Sequence, residues 1–500
     1  MLLSLTLLLI ATLQGAASLG GAMQGMEEAI DIQREQLSRM SEFLGPVGDP
    51  EAPKKDPQAP TVTFSNPAAE KFFVDGTRIP EVKFDAGPSW SGLMPISGDP
   101  NETRKLFFWF WPTNNASNTK DLMFWTNGGP GCSSLEGFLQ ENGPISWSWG
   151  QAEPTLNPWS WTNLSHVLWV EQPVGTGFSQ GTPNITNDDQ LAAELTGFLE
   201  QFLEVFSELK GNNFYLTGES YAGFYVPYIA NWIYEHPGLD LTLKGIWIAD
   251  PSLSYGVIQQ EIPALRFAQA NKNLFPFNSS FWSTLQGISD SCGYTDYLDK
   301  FVTYPPAGQL PLPIATNGTF SVIPSCRIHS PIQRAINVLN PAFNVYRVSD
   351  TWPNLWSVWV SPVQLRSLSI SIGPTCKMPF TRLIYHGALA PTGHVLPNVI
   401  EKSVRTVIVH GLADFILVAE GTRIAIQNMT WGGAQGFQTP IESENFLVEN
   451  MGIYGNMHTE RKLTYVEFYF SGHMTPQFVP WASFQTVSYL LGHQDSPSSG

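Results

Sequence analysis

Residues 218–223 constrain the fold of this chain more than any other segment. They read Gly-Glu-Ser-Tyr-Ala-Gly, which matches the G-x-S-x-G pattern of a nucleophile elbow. The hydrophobic run 214–217 precedes them and predicts a short buried strand, and apolar residues at helical spacing follow over 221–234. Because the glycines allow a sharp turn and close helix packing, we expect Ser220 to stand exposed at the carboxyl edge of a sheet. The pattern alone also fits an ordinary strand-to-helix turn, so its weight comes from this context.

Other short, intensely apolar runs predict the rest of the sheet. Besides 214–217 they cover residues 106–111, 122–126, 167–171, 245–249 and 404–410. Runs that are hydrophobic throughout indicate central strands covered on both faces. Between two of them, residues 191–206 carry apolar side chains at helical spacing, which predicts an amphipathic crossover helix. The order is βαβ, so we predict an α/β fold with a mostly parallel central sheet flanked by helices.

Composition excludes several classes of protein. The chain has 500 residues, of which 43% are hydrophobic and 14% charged, so it can bury a large core and is neither disordered nor a coiled coil. Its formal net charge of −17 disfavours nucleic acid and anionic membranes as partners.

The amino terminus predicts a signal peptide at residues 1–17. Its apolar run is shorter than the about 20 residues of a membrane-spanning helix, which disfavours the alternative of an anchor, although the usual basic residues are missing. Asn-x-Ser/Thr triplets give candidate N-glycosylation sites, some of which arise by chance. They are Asn101, Asn115, Asn163, Asn184, Asn278, Asn317 and Asn428. We therefore expect a secreted or vacuolar protein, without membrane insertion.

Changes in composition divide the remaining chain. Residues 18–61 are polar and Pro-rich and contain the dibasic pair Lys54-Lys55, which fits a removed propeptide or a surface tail equally well. We expect the α/β domain in two parts, 62–251 and 380–492. Between them, residues 252–379 are rich in Pro and aromatic residues and predict an insertion, or cap, over the site. Residues 493–500 form a polar tail.

The four cysteines are Cys132, Cys292, Cys326 and Cys376. An even number in a secreted chain favours two disulfides, for which three connectivities are possible. The sequence contains no C-x-x-C and no H-E-x-x-H motif. We therefore predict no metal site and no cofactor.

Two downstream residues complete a catalytic set with Ser220. Asp414 follows the strand-like run 404–410, and His473 follows the run 465–470. The order Ser, Asp, His is that of α/β-hydrolases. Ser220 would be the nucleophile, His473 its base, and Asp414 the residue that orients the imidazole. Alternatively, Asp414 caps the following helix and His473 is a surface residue.

Several separated motifs resemble the serine carboxypeptidase family, in particular its fungal members. They occupy residues 125–134 (Trp-Thr-Asn-Gly-Gly-Pro-Gly-Cys-Ser-Ser), 141–144 (Glu-Asn-Gly-Pro), 172–179 (Gln-Pro-Val-Gly-Thr-Gly-Phe-Ser), 218–223 and the surroundings of Asp414 and His473. The resemblance spans about residues 62–492. It implies an α/β-hydrolase fold with a large insertion, and an enzyme that releases C-terminal amino acids from peptide or protein C-termini. It also implies a Ser-His-Asp acyl-enzyme mechanism, favoured at acidic pH.

The same resemblance assigns further roles. The backbone N–H groups of Gly129 and Tyr221 would form an oxyanion hole, where bare amides stabilise the developing anion. Asn127, Glu141 and Glu219 would grip the terminal carboxylate of the substrate. Since three neighbouring carboxylates cannot all be ionised without strong repulsion, we expect at least one Glu to be protonated. Taken alone, residues 127–131 also fit a tight turn, and no Gly-Lys-Ser/Thr follows that would suggest a phosphate site.

Family pairing further suggests the disulfides Cys132–Cys376 and Cys292–Cys326. The chain departs from the commonest family pattern at Leu412, where many members have an Asp, and at Leu417, where some have a Cys. Neither position belongs to the predicted triad.

Two other functions compete with peptide hydrolysis. One is ester hydrolysis or acyl transfer by the same elbow, as in plant acyltransferases of related sequence. Those relatives often have Asp before the nucleophile and Ser two places after it, whereas this chain has Glu219 and Ala222. The other is an inactive secreted binding protein, against which the intact Ser, Asp and His residues argue.

Overall fold

The hydrophobic runs found in the sequence form neighbouring strands of one sheet in the computed structural model. The structure describes residues 62–148, 151, 153–313, 322–350 and 390–498. The predicted signal peptide (1–17) and the segment 18–61 lie outside these ranges, as do Asn317 and Cys376.

Eleven strands of the described part of the chain make up this sheet. They are β1 (Phe73–Val74), β2 (Ser89–Pro95), β3 (Lys105–Trp111), β4 (Asp121–Thr126), β5 (His166–Glu171), β6 (Asn213–Glu219), β7 (Thr242–Ala249), β8 (Arg405–Gly411), β9 (Asn445–Val448), β10 (Gly452–Glu460) and β11 (Leu463–Phe468). Their spatial order is β1-β2-β3-β5-β4-β6-β7-β8-β11-β10-β9.

The centre of the sheet is parallel and its two edges are antiparallel. Strands β5, β4, β6, β7, β8 and β11 pair in parallel, in that order. Antiparallel pairs flank them on both sides. The predicted α/β fold is confirmed, with one correction. The run 106–111 is not part of the parallel centre, because β3 is antiparallel to both of its neighbours.

The central strands are hydrophobic throughout because each face of the sheet is covered by its own apolar layer. In β4, Leu122 and Phe124 belong to one layer, and Met123 and Trp125 belong to the other. All four side chains are fully buried. This agrees with the prediction from the sequence.

The sequence analysis did not predict β2, β9 and β10, which belong to the antiparallel flanks of the sheet. Exposure varies from residue to residue along them, so they carry no continuous apolar run. The turn between β10 and β11 also lacks a typical signal, because the two positive-φ positions are Arg461 (51°) and Lys462 (69°) rather than Gly or Asn. The last predicted strand (465–470) ends two residues early, at Phe468, and Phe470 is 56% exposed.

Helices cover the sheet and build the inserted region. The α-helices of the described ranges are α1 (Leu135–Gly137), α2 (Asp188–Val205), α3 (Ala222–Glu235), α4 (Ile262–Ala270), α5 (Ser279–Cys292), α6 (Tyr297–Phe301), α7 (His329–Leu339), α8 (Val395–Lys402), α9 (Ala419–Asn428), α10 (Thr475–Phe478) and α11 (Pro480–Leu491). Wide turns at Phe138–Asn142 and Val257–Glu261 extend α1 and precede α4. None of the helices in these ranges is long and apolar enough to cross a membrane.

The predicted crossover helix is α2. The side chain of Asn187 caps it by accepting a hydrogen bond from Gln190 N at 2.9 Å. Its apolar face includes Phe198 and Phe202. Both side chains are fully buried in the apolar layer that contains Leu122 and Phe124 of β4. The helix ends at Val205, with Phe206 as its C-terminal cap.

The described part of the predicted insertion (252–379) is helical. Helices α4 to α7 enclose an apolar cluster of their own around Phe267, Phe275 and Ile332. A disulfide joins Cys292 and Cys326 at the edge of this cluster. Residues 351–389 lie outside the described ranges, so the boundary of the insertion stays a prediction.

Candidate active site

Ser220 lies at the tip of the turn between β6 and α3. Its φ is 63°, a left-handed conformation that a non-glycine residue rarely adopts. The turn requires both flanking glycines. A Cβ at Gly218 would lie 2.5 Å from Thr126 O, and one at Gly223 would lie 2.3 Å from Ser252 O. The serine is partly exposed, and its hydroxyl has no hydrogen-bond partner among the described residues. It faces a cavity of about 330 Å³.

The glycine-rich loop after β4 runs directly against this turn. A Cβ at Gly128 would lie 2.3 Å from Tyr221 N, so only glycine allows the two backbones to approach so closely. Gly129 follows with a φ of 108°. Gly129 and Tyr221 line the same cavity as Ser220, as the predicted oxyanion hole requires.

Asp414 and His473 meet beside that cavity. The Oδ2 atom of Asp414 lies 2.7 Å from Nδ1 of His473. The Oδ1 atom accepts hydrogen bonds from Ile416 N at 2.8 Å and from Leu417 N at 3.2 Å. Asp414 is fully buried and His473 is 3% exposed. Burial alone would raise the pKa of Asp414, but the nearby imidazoles, first that of His473, bring it below its usual value.

A short piece of the predicted insertion contacts the loops that carry Asp414 and His473. We call residues 345–348 the strap. On one side, Phe415 N donates to Val345 O at 3.0 Å and Val348 N donates to the carbonyl of Ala413 at 2.9 Å. On the other side, His473 N donates to Tyr346 O at 2.7 Å. The Tyr346 ring also meets the imidazole of His473 edge-on, with ring centroids 5.3 Å apart. The strap therefore fixes Asp414 and His473 relative to each other.

Asn127 and Glu219 line the cavity on the other side of Ser220. The Nδ2 atom of Asn127 donates to Oε1 of Glu219 at 3.0 Å. Its Oδ1 atom accepts hydrogen bonds from Trp125 Nε1 at 2.7 Å and from Gly137 N at 3.1 Å, which fixes the orientation of the amide. The amide of Asn127 also interacts with Glu141, so it faces both buried glutamates.

Glu141 is buried next to Glu219. No backbone N–H or hydroxyl group of the described residues donates to its carboxyl oxygens, which lie near the side chains of Glu219 and Asn127. Burial raises the pKa of Glu141 to about 7. Burial and then the charge of Glu141 raise the pKa of Glu219 well above its usual value. Interaction between the two carboxyl groups lowers the pKa of Glu141 and raises that of Glu219, which favours a pair with a single negative charge.

Glu136 is a third carboxyl of this region, and the sequence analysis missed it. It is 7% exposed and lines the cavity, and burial followed by the charge of Glu141 raises its pKa to about 8. The available signal was an isolated acidic residue between the apolar Leu135 and Phe138. The three glutamates together favour a site that binds protons at acidic and neutral pH.

A second buried group, Asp250 and His410, lies behind Asp414. One carboxylate oxygen from each Asp and one imidazole nitrogen lie within 4.8 Å of one another, a spacing that could suit a metal ion. However, His410 Nε2 is 2.7 Å from Leu417 O, and its Nδ1 is 3.1 Å from Thr422 Oγ1. Both ring nitrogens are already used in hydrogen bonds, which favours a proton-carrying network over a metal centre.

The remaining predicted sites lie on the surface or outside the described ranges. Cys132 lines the cavity and is disulfide-bonded, but Cys376 lies outside the described residues, so the pairing Cys132–Cys376 stays a prediction. The candidate glycosylation sites differ in exposure. Asn101, Asn184, Asn278 and Asn428 are exposed, whereas Asn115 and Asn163 are partly buried.

Comparison with known proteins agrees with this geometry. The family model for serine carboxypeptidases matches residues 80–271 and 374–493, and the gap between them falls within the predicted insertion. A probable serine carboxypeptidase of Arthroderma benhamiae is 41% identical over 484 residues, which cover 88% of this chain and 89% of the relative. Serine-type carboxypeptidase F of Aspergillus niger is 35% identical over 528 residues, covering 96% of both chains.

A solved structure shows the same fold. The prohormone-processing carboxypeptidase of Saccharomyces cerevisiae superposes with a TM-score of 0.66 at 23% identity, covering 85% of this chain and 96% of its own. The match of the family model to more than half of the residues, together with the identity to two fungal relatives over most of their length, establishes the relationship. The chain belongs to the serine carboxypeptidase family, whose members are hydrolases with an α/β-hydrolase fold.

Proposed function

We propose that this protein releases single C-terminal residues from peptides through an acyl-enzyme on Ser220, and that acidic pH favours the reaction. One observation carries the proposal. A single cavity is lined by Ser220 and His473 and also by Asn127 and Glu219. The first two residues suit attack on a carbonyl, and the other two suit the capture of a carboxylate beside it. A peptide that binds this cavity by its terminal carboxylate presents its last peptide bond to Ser220.

The attack follows from the hydrogen bonds around His473. Its Nδ1 faces the acceptor Asp414 and so carries a hydrogen, which leaves Nε2 free to take the proton of the Ser220 hydroxyl. The Ser220 oxygen then bonds to the carbonyl carbon while the amides of Gly129 and Tyr221 stabilise the oxyanion. The C–N bond breaks as His473 returns the proton to the leaving amine. Water, activated by the same base, then hydrolyses the acyl-enzyme.

The pH dependence follows from the carboxyl groups that would receive the substrate. A peptide's terminal carboxyl has a pKa of about 3.5, so it is ionised over most of the acidic range. In that range Glu219 is protonated, because its pKa is raised well above the usual value, and it can donate a hydrogen bond to the substrate. As the pH rises through the pKa of Glu141, about 7, charge accumulates and repels the substrate carboxylate. We therefore expect KM to increase towards neutral and alkaline pH.

An active-site label and matched substrates test the proposal. An organophosphonate should modify Ser220 and abolish activity, and a peptide mapping experiment would locate the label. A peptide with a free C-terminus should lose residues one at a time, whereas its C-terminal amide should not be cleaved. Equal cleavage of the free and amidated peptides would contradict the carboxylate grip and favour a general hydrolase.

We also propose that the protein enters the secretory pathway and is secreted or vacuolar. The predicted signal peptide, the Cys292–Cys326 disulfide and exposed glycosylation sites such as Asn278 support this location. Amino-terminal sequencing of the mature protein should place the start after residue 17, and endoglycosidase treatment should reduce its mass. An unprocessed and unglycosylated protein would contradict the proposal.

A further inference from the structure

Asp250 occupies the strand end between the nucleophile and the catalytic acid. Strand β6 leads to Ser220, β7 leads to Asp250, and β8 leads to Asp414, and these three strands are parallel neighbours. Ala249, at the end of β7, pairs with Glu219 on one side and with Val409 on the other. Asp250 therefore lies at the same edge of the sheet as the active site, although the sequence analysis gave it no role.

The backbone and side chain of Asp250 both anchor the end of β8. Its N–H donates to Val409 O at 2.8 Å, and its Oδ1 atom accepts from Gly411 N at 2.8 Å. The residue is fully buried and has a φ of 44°, a left-handed conformation that is unfavourable for a non-glycine residue. Its neighbours therefore hold this aspartate firmly in an unfavourable backbone conformation.

His410 connects Asp250 with Asp414. Its Nε2 atom is 3.6 Å from Asp250 Oδ1 and 3.7 Å from Asp414 Oδ2. Both distances exceed a good hydrogen bond, and the nearer acceptor of that nitrogen is Leu417 O at 2.7 Å. All three side chains are fully buried, so water screens their mutual interaction poorly.

The two aspartates differ sharply in how their carboxyl groups are solvated. Asp414 faces three donors, which are Ile416 N, Leu417 N and His473 Nδ1. Asp250 accepts from Gly411 N alone, and its Oδ2 atom has no partner among the described residues. When two carboxyls share a buried site, the negative charge goes to the one with more donors and the other keeps its proton.

We propose that Asp250 is a positioning residue that works in its protonated form. It fixes the end of β8, which carries Asp414, and leaves Asp414 as the only ionised carboxyl behind His473. This inference rests on the proposed function of Ser220, His473 and Asp414. The direction of the pKa shift agrees with it, because burial and then the charge of Asp414 raise the pKa of Asp250 well above its usual value.

The proposal has a consequence for alkaline pH. The titratable groups that face Asp250 are Asp414, His410 and, across the cavity, Glu141 and Glu219. When Asp250 loses its proton, a second negative charge appears behind the base. Its repulsion of the Asp414 carboxylate favours displacement of the Asp414 loop from its hydrogen bond with His473, so the imidazole is no longer held for the attack by Ser220. The rate of attack by Ser220 should therefore fall as Asp250 ionises.

Labelling of Ser220 by an uncharged aryl phosphonate tests this without any contribution from the carboxylate grip. The second-order rate constant would be measured from acidic to alkaline pH for the wild type, Asp250→Asn and Asp250→Ala. Asparagine keeps the shape and the acceptor of a protonated aspartate but cannot ionise. We expect Asp250→Asn to come within about threefold of the wild-type rate in acid and to extend the alkaline limb by about one pH unit. Asp250→Ala should be slower by about tenfold or more at every pH.

Asp188→Asn is the matched control. Asp188 is another carboxyl of 1% exposure without hydrogen-bond partners in the described ranges, and burial raises its pKa to about 7, but it does not line the cavity. Its labelling profile should superimpose on that of the wild type. Coincident profiles of the wild type and Asp250→Asn would overturn the proposal, as would an Asp250→Asn rate as low as that of Asp250→Ala. If wild-type Ser220 is not labelled at any pH, the proposed function fails as well.

Discussion

The pKa values of two buried carboxyl groups of this protein, Asp414 and Glu141, are shifted in opposite directions. Both are at least 96% buried, yet the pKa of Asp414 is lowered and that of Glu141 is raised to about 7. Asp414 faces two backbone N–H groups and an imidazole, whereas no backbone N–H or imidazole of the described residues donates to Glu141, whose neighbours are the side chains of Glu219 and Asn127. Burial penalises both charges, so the neighbouring donors decide which one persists. The protein thus keeps a negative charge on Asp414, beside His473. It keeps protonated carboxyl groups where the substrate carboxylate would bind.

The largest expected effect comes from replacing Asp414 or the residues that act with it, His473 and Ser220. Ser220→Ala, His473→Ala and Asp414→Ala should each lower kcat by about 10⁴- to 10⁶-fold, and the losses should not add. Steady-state kinetics on a blocked dipeptide would measure this. A Ser220→Ala variant with a tenth of the wild-type activity would contradict the assignment of the nucleophile.

A smaller loss is expected in the glycine-rich loop that follows β4 and runs against the Ser220 turn. Gly128→Ala places a Cβ 2.3 Å from Tyr221 N and must displace the amides that face Ser220. We expect kcat to fall by about 10²- to 10³-fold, the effect of losing one oxyanion donor, with less change in KM. Gly393→Ala is the control, because a Cβ there has no neighbour within 4 Å. Equal kinetics for both variants would argue against the close approach of the two backbones.

The protonated carboxyl groups of Glu141 and Glu219 can be tested through the KM of the substrate. Glu141→Gln or Glu219→Gln removes one titrating carboxyl and retains a hydrogen-bond donor. KM of a free-acid peptide should then vary less with pH, and at neutral pH it should be lower than in the wild type by about tenfold, the effect of 1.4 kcal/mol less repulsion. An ester substrate without a terminal carboxylate is the internal control. A KM that does not change with pH in the wild type would contradict the proposal that titration of Glu141 and Glu219 controls substrate binding.

The smallest expected effect concerns the stability of the fold, which should vary with pH through the buried carboxyl groups that bind protons. The folded-state pKa values of Glu136, Glu141 and Asp188 are raised to about 8, 7 and 7. Their unfolded values are about 4, so the folded protein binds more protons between these limits. The stabilisation is complete below the unfolded pKa and is lost as the pH rises through the folded pKa. We expect Tm to fall by about 5 °C between mildly acidic pH and pH 8. Calorimetry would measure this, and Glu136→Gln should reduce the slope.

Much of the fold was predictable because it depends on local patterns. The runs that became β4 to β8 are apolar throughout, since both faces of those strands are covered. Strand β10 could not be predicted in the same way. Its partly exposed residues form no continuous apolar run, and the turn at Arg461 and Lys462 that joins it to β11 contains neither Gly nor Asn.

The predicted site showed the same limit. Ser220, Asp414 and His473 each follow a recognisable strand in a known order, and the structure brings them to one edge of the sheet. Glu136 follows no predicted strand, and Asp250, although it directly follows the run 245–249, has no place in that order. What distinguishes them is burial without enough donors, and that property exists only once the strands have packed.

The hydrogen bonds that join the strap to the loops of Asp414 and His473 are made by main-chain atoms. The carbonyl and N–H groups of the strap contact Ala413, Phe415 and His473, and none of those bonds depends on which side chains residues 345–348 carry. Substitution along this stretch can therefore reshape the wall of the cavity, where Tyr346 now stands, without shifting the base from its acid partner. Along residues 345–348, the main chain thus holds His473 beside Asp414, while the side chain of Tyr346 forms part of the cavity wall.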